Sequence, residues 1–518
     1  MYSQQNIKSR VESYKKVKLS ADLSWLSDKE KQIIPLFIEA SKLVDEIFWK
    51  QNFGDKESLL SKLTDEYEKE FVKINYGPWD QLNDEKPFIA GYGEKPPCAN
   101  FYPKEMTKAD FEKIADPNKT GAYSIVVKDK DGFKVVPYSA AYKNEITKIA
   151  ELLKKASELA EDAGLKKYLS LRADALLTDN YQPSDFAWMD MKTSNLDFVV
   201  GPIENYTDKL FGYKTSFESY ILIKDPDWSR KLEKFTSLLP ELQKGLPVED
   251  KYKKESPGSE SDLNAYDAIY YAGDCNAGSK TIAINLPNDE EVQIKKGSRR
   301  LQLKNIMKAK FDNIMQPIAN LIISPEQKKY VKFGAFFENT MFHEVAHGLG
   351  IKNTITGAGT VRDALKEQYS ALEEGKADIL GLYLVTRLYE MGELKEGEVM
   401  DNYVTFLAGI FRSCRFGAAS AHGKANMVRF YYFQDKGAFT HNDDGTYSVN
   451  FDKMKDAVIS SSQQILKIQG DGDYNTAKSL IEKDGFIKEE LKKDLERINN
   501  AGIPVDIVFE QGMDYLKF

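Results

Sequence analysis

His343 and His347 stand four residues apart in FFENTMFHEVAHGLG, with Glu344 between them, so a helix here projects both imidazoles from one face, one turn apart. That pair is a two-point clamp for a divalent metal. It constrains the fold because the clamp needs a rigid helix and a third ligand brought in by a second element. Zinc at a catalytic site takes three protein ligands and leaves the fourth position to water. The preferred third ligand is Glu374 in ALEEGKADILGLYLVTRLYE, where Leu372, Ile379, Leu380, Leu382, Tyr383 and Val385 make a buried helix. Two adjacent acids and an Asp on such a segment need an electrostatic reason, and a bound cation supplies one.

Asp378 lies four residues beyond Glu374 on the same helical face. It is expected to accept the free ring N–H of a ligating histidine and so fix its tautomer. Glu373 points about 100° away by helix geometry and is placed to orient the other histidine. Glu344 is not needed as a ligand and is positioned as the general base that takes a proton from water and passes it to the leaving amine. A metal here lowers the pKa of water towards about 7, and the reaction class is metal-assisted amide hydrolysis.

Two other readings stand beside this one. His-Glu-x-x-His alone is short enough to be a helix surface turn. Against that, the chain has only 4 histidines, two of them here, with a glycine immediately after and the acidic helix close by. The run HEVAHGLGIKN also matches a longer metal motif through Gly350, with Asn353 where a third histidine belongs; Asn is a poor zinc ligand. Of the remaining histidines, His422 sits in RFGAASAHGKANMVRF among small residues that permit close approach of a ligand. His441, in the polar THNDDGTY, reads as a hairpin residue.

With 518 residues the chain exceeds what one core usually organises, so two or more lobes with a cleft are expected. Hydrophobic residues at 42% and charged at 29% describe an ordinary globular chain. A net charge of −8 argues against a nucleic-acid partner, and the locally basic GSRRLQLKNIMKAK at 297–310 reads as the solvated face of a helix. Cys98, Cys275 and Cys414 are far apart and imply neither a disulfide framework nor a thiolate zinc site. No stretch approaches 18 apolar residues and the first 25 carry no signal-peptide core. A cytoplasmic monomer with no membrane partner is therefore expected, periplasmic or secreted if a leader has been removed.

Along the chain, an amphipathic helix covers 27–50, broken or entered at Pro35, and a second helical run covers about 55–72. A hairpin turns at Asp131-Gly132, and two helices follow, 144–163 ending at Gly164 and 165–178. Strands are expected within 195–224 and at 281–289, and residues 251–262 have the composition of a flexible connection. From about 302 to 435 the pattern is helical, and another hairpin surrounds Asp444-Gly445. The sum is α+β, with a helical lobe holding the metal and a lobe containing a sheet.

These motifs, with PIENYTD at 202–208, INLPND at 284–289 and AHGKAN at 421–426, resemble the dipeptidyl peptidase III family of zinc exopeptidases. The resemblance implies one Zn²⁺ per chain on His343, His347 and Glu374, with Glu344 as base. It implies that Tyr206 donates to the oxyanion and that His422 assists in positioning substrate or stabilising the transition state. Glu204, Asn285 and Asn288 match positions that bind the free N-terminal amine and early backbone of a short peptide. The implied fold is two lobes around a wide cleft, the metal in the mostly helical lobe and a β-barrel-like sheet core in the other. On this basis the strand-rich lobe comprises 1–224, 263–314 and 496–518, and the helical lobe 225–262 and 315–495.

Two departures matter. The metal motif has the pentapeptide spacing where many members carry an extra residue, and Asn426, four after His422, stands where better-known members have Arg. The missing cation motivates one alternative to dipeptide release, a zinc endopeptidase or other amide hydrolase on the same metal core; a further alternative is a peptide-binding protein whose metal is structural.

Overall fold

The computed structural model describes residues 6–130, 132–255 and 262–517. Asp131, expected at a hairpin turn, and residues 256–261 of the expected flexible connection lie outside the described residues. The chain forms two compact units, one of Met1–Arg230, Glu260–Ile306 and Asp506–Phe518, the other of Lys231–Ser259 and Met307–Val505.

The first unit is built on a five-stranded sheet with the strand order Leu196–Glu204, Ser216–Lys224, Asp262–Gly273, Arg299–Leu303, Ala283–Leu286. Neighbours are antiparallel except Asp262–Gly273 and Arg299–Leu303, which run parallel. Phe198, Val199, Val200, Phe217, Tyr220 and Ile221 are buried on both faces, which is why these segments read as apolar runs rather than alternations. One face is covered by the helix Asp28–Asn52, whose Ser27 and Glu30 form a reciprocal cap and whose Phe37 ring stacks on Phe198 at 4.3 Å. Pro35 is accommodated inside this continuous helix. The pairing of the first two strands shifts between Pro202 and Glu204, so the sheet irregularity falls where Glu204 leaves it. In the same unit Tyr14–Lys18 pairs in parallel with Asp506–Glu510 as a separate two-stranded sheet.

Three local expectations are corrected. The basic stretch 297–310 is not one helix: Arg299–Leu303 is an interior strand, and only Lys304–Lys310 is helical. Arg299 is buried there, 3.0 Å from Asp197 and bonded to the Tyr266 hydroxyl at 2.8 Å, so its charge faces a partner and not water. The twelve-residue strand Asp262–Gly273 has no counterpart in the sequence reading, although AYDAIYYAG carries the aromatic and β-branched residues of a buried strand. The first of the paired helices ends at Leu159, not Gly164, because Asp162 caps the next helix by accepting from Leu165 N at 2.8 Å.

The second unit is mostly helical. Its centre is the pair Phe333–His347 and Tyr369–Glu390, which we call the metal helix and the acidic helix. Around them pack Val399–Cys414, Ala421–Asp435 and Phe451–Asp471, with a hairpin of Phe439–His441 and Tyr447–Val449. Gly381 lets the central pair approach until the backbones nearly touch. A Cβ there would lie 3.0 Å from His343 N and 3.1 Å from Phe342 C.

Candidate functional site

The metal helix delivers His343 and His347 side by side, their Nε2 atoms 3.2 Å apart. From the acidic helix, Glu374 Oε2 comes to 3.3 Å from His343 Nε2 and 3.7 Å from His347 Nε2. Ligand atoms of all three residues lie within 4.8 Å of one another. The outer ring nitrogens are already engaged: His343 Nδ1 is 2.5 Å from Asp378 Oδ1, and His347 Nδ1 is 3.1 Å from Glu373 Oε1. With a proton on each Nδ1, both Nε2 lone pairs point at the same place, an arrangement two neutral imidazoles adopt around a cation and avoid without one. Glu374 Oε2 is buried and makes no hydrogen bond despite its near neighbours. An orphaned carboxylate oxygen beside two converging lone pairs fits a divalent ion.

The electrostatics point the same way. Burial opposes a charge on His343, but Asp378 above all, then Glu374 and Glu344, push its pKa up to about 10. Burial likewise disfavours the charged form of Glu373, yet Lys376 and His347 pull it down to about 2. The cage of carboxylates demands positive charge at its centre.

His422 stands at the start of the helix Ala421–Asp435, with Nδ1 3.1 Å from Glu374 Oε2. Its position depends on Gly423, where a Cβ would come within 2.6 Å of Ala418 Cα, so the small-residue loop folds back against the first turn. Ser420 caps that turn by accepting from Gly423 N at 3.1 Å. Asn426 is buried and donates to Ser413 Oγ and His422 O, both at 2.9 Å, so it braces the helix beneath His422. Asn353 lies elsewhere: its backbone and side-chain nitrogens both bond Glu255 Oε1, and the alternative motif ending at this residue gains no ligand. His441 stacks on Tyr447 at 4.5 Å and faces Glu490, away from the histidine pair.

The remaining candidates belong to the first unit. Glu204 ends its strand, where burial raises its pKa against the opposing hydrogen bond of Asn288. The phenol of Tyr206 is 76% exposed, and the charge of Glu204 raises its pKa further, keeping it a hydrogen-bond donor. Asn288 donates to Ile203 O at 3.1 Å. Asn285 is an exposed strand residue opposite Arg300. The structure thus brings Glu204, Tyr206 and Asn288 into one neighbourhood, and Asn285 lies three residues before Asn288.

The sequence model of peptidase family M49 matches residues 113–359. A solved structure of dipeptidyl peptidase III from Caldithrix abyssi is 40% identical, with a TM-score of 0.94 over 98% of this chain and 99% of that one. The chain belongs to peptidase family M49. A second dipeptidyl peptidase III structure, from Corallococcus sp. strain EGB, is 37% identical with a TM-score of 0.82, covering 97% of this chain and 96% of that one. Among curated proteins, the rat dipeptidyl peptidase 3 is 25% identical over 31% of this chain and 22% of its own length. An Arabidopsis thaliana protein named Nudix hydrolase 3 is 36% identical over 97% of this chain and 73% of its own length. That name brings no activity to this chain, whose converging residues are those of a His-Glu-x-x-His centre.

This M49 chain is thus a hydrolase of the dipeptidyl-peptidase type, with a mixed helix and sheet fold and a His-His-Glu group able to hold a metal. No helix among the described residues is long and apolar enough to cross a membrane. Two residues escaped the sequence reading. Lys376 and Arg429, buried at 2% and 3% exposure, contact Glu373 and Asp378 respectively. Lys376 carries a weak signal, a lone base inside an otherwise apolar helix. Arg429 carries none, since its partner lies 51 residues away.

Proposed function

We propose that this M49 peptidase is a zinc enzyme that releases dipeptides from the free N-terminus of short peptides. The observation that carries the reading is the convergence of His343 Nε2, His347 Nε2 and the orphaned Glu374 Oε2, with both Nδ1 atoms occupied by carboxylates. A divalent ion held by these three residues supplies Lewis-acid polarisation of a carbonyl and acidification of water. Glu344 accepts the proton of the attacking water and returns it to the leaving amine. Tyr206 donates its hydroxyl to the developing oxyanion, and His422, braced by Asn426, orients the scissile carbonyl. Glu204, with the amide oxygens of Asn285 and Asn288, holds the ammonium group of the peptide, charge against charge.

A second reading, cleavage away from the terminus, follows from Asn426, which is occupied inside the helix pair and offers no cation to a substrate. Zinc-loaded protein incubated with one octapeptide, free and N-acetylated, separates the two. Dipeptide release from the free peptide alone is expected. Equal cleavage of both forms overturns the amine requirement, and no cleavage of either leaves only a peptide-binding role with a structural metal.

A further inference from the structure

Each carboxylate that meets the outer ring nitrogen, Nδ1, of a candidate metal-binding histidine is itself held by one buried base. Lys376 Nζ lies 2.8 Å from Glu373 Oε1, the atom that meets His347, and is fixed by Leu349 O at 2.9 Å and His347 O at 3.3 Å. Gln469 Nε2 holds the second oxygen of Glu373 at 3.0 Å. On the other side, Arg429 donates through Nη2 to Asp378 Oδ2 and through Nη1 to Gly375 O at 3.0 Å, while Asp378 Oδ1 meets His343. The bases come from different helices, Lys376 from the acidic helix and Arg429 from Ala421–Asp435, yet they make the same link of base, carboxylate and imidazole.

We propose that Lys376 and Arg429 are positioning residues that hold Glu373 and Asp378 aimed at the two ring Nδ1 atoms, so that both imidazoles present Nε2 lone pairs before any metal arrives. The proposal rests on the ligand set of the preceding section. Its physical basis is the fixed geometry of the two carboxylates. Each carboxylate is tied to the surrounding helices by its base, so the imidazole it faces meets one fixed acceptor for its Nδ1–H. Two buried bases offset Glu373 and Asp378 and leave the charge of Glu374 for the cation. The guanidinium also fixes the plane of Asp378, because one of its nitrogens is anchored on the backbone at Gly375.

The test is a zinc dissociation constant measured by chelator competition on the full chain, with thermal unfolding of the metal-free protein as control. Arg429→Met is expected to weaken zinc binding about tenfold, the lower end of what outer partners of metal ligands cost. In an Asp378→Asn background the same substitution is expected to change nothing further, and Lys376→Met paired with Glu373→Gln should behave alike. Should Arg429→Met fail to fold, Arg429→Gln, which keeps a donor and much of the volume but not the charge, carries the same expectation. Unchanged zinc affinity in a folded variant, or an equal loss in both backgrounds, would overturn the positioning role. Failure of the unaltered protein to bind zinc, or binding indifferent to His347→Ala, would instead remove the ligand set itself.

Discussion

The Cβ that Gly381 lacks would sit 3.0 Å from the backbone nitrogen of His343. The distance between the metal helix and the acidic helix is therefore set by a missing methyl group, and with it the reach from Glu374 to the two imidazoles. Gly381→Ala must push the helices apart, because its neighbours are backbone atoms that cannot swing aside. A loss of about 1 to 3 kcal/mol in denaturant unfolding is expected, as for other overpacked cores. Zinc affinity should fall in the same variant, whereas Gly334→Ala on the metal helix, whose Cβ would meet nothing within 4 Å, should change neither.

Glu344 is assigned a proton, not a metal bond. Glu344→Gln should lower kcat by roughly 10² to 10⁴, the usual contribution of a positioned general base. Zinc content measured by elemental analysis should stay at the level of the unaltered protein. Loss of metal together with activity would instead make Glu344 part of the cage.

Recognition of a free amine is assigned to Glu204 and Asn288. Glu204→Gln removes one charged hydrogen bond, worth about 1.5 to 3 kcal/mol, so kcat/KM for free peptides should drop by roughly 10- to 100-fold. The measurement is competition between a free peptide and its acetylated form. The preference for the free form should shrink in Glu204→Gln and in Asn288→Ala, and turnover of acetylated peptide should hardly move.

Glu338, five residues before His343, predicts a pH effect on stability. Burial first, then the charges of Glu396 and Asp401, raise its pKa to about 7 against the opposing effects of Asn402 and Lys231. An acid with a raised native pKa contributes stability that is complete below its unfolded value and lost as pH rises through the folded one. Relative to Glu338→Gln, which stays neutral, the protein should lose up to about 3 kcal/mol between about pH 4.5 and pH 7. Unfolding curves of both proteins at pH 5 and pH 8 check it, the gap between them opening only at the higher pH.

The convergence of the candidate ligands was legible because they sit at helical spacing: His343 with His347, and Glu374 with Asp378. Periodicity within one element reports which side chains share a face. It is silent on what crosses between elements, which is why Lys376 and Arg429 went unseen beside the carboxylates they hold. The same blindness explains Arg299–Leu303. Two arginines in a row look solvated, yet Arg299 is buried because Asp197, from another strand, waits inside the sheet. Asp262–Gly273 was lost for a different reason: its small and polar residues break the alternation of a half-exposed strand, while its buried neighbours on both sides need no alternation at all. Glu204, Tyr206, Asn285 and Asn288 came from family likeness alone, since nothing in their spacing demanded a site.

The parallel pairing of Tyr14–Lys18 with Asp506–Glu510 sets a clock on synthesis. Tyr14–Lys18 must keep its edge unpaired until the residues up to Asp506–Glu510 have followed it. The helical unit, whose long segment ends just before that last strand, can mature first. Cutting the chain ahead of Asp506 should therefore spare the histidine cage and leave the sheet unit with an open edge, exposed to pairing with other molecules.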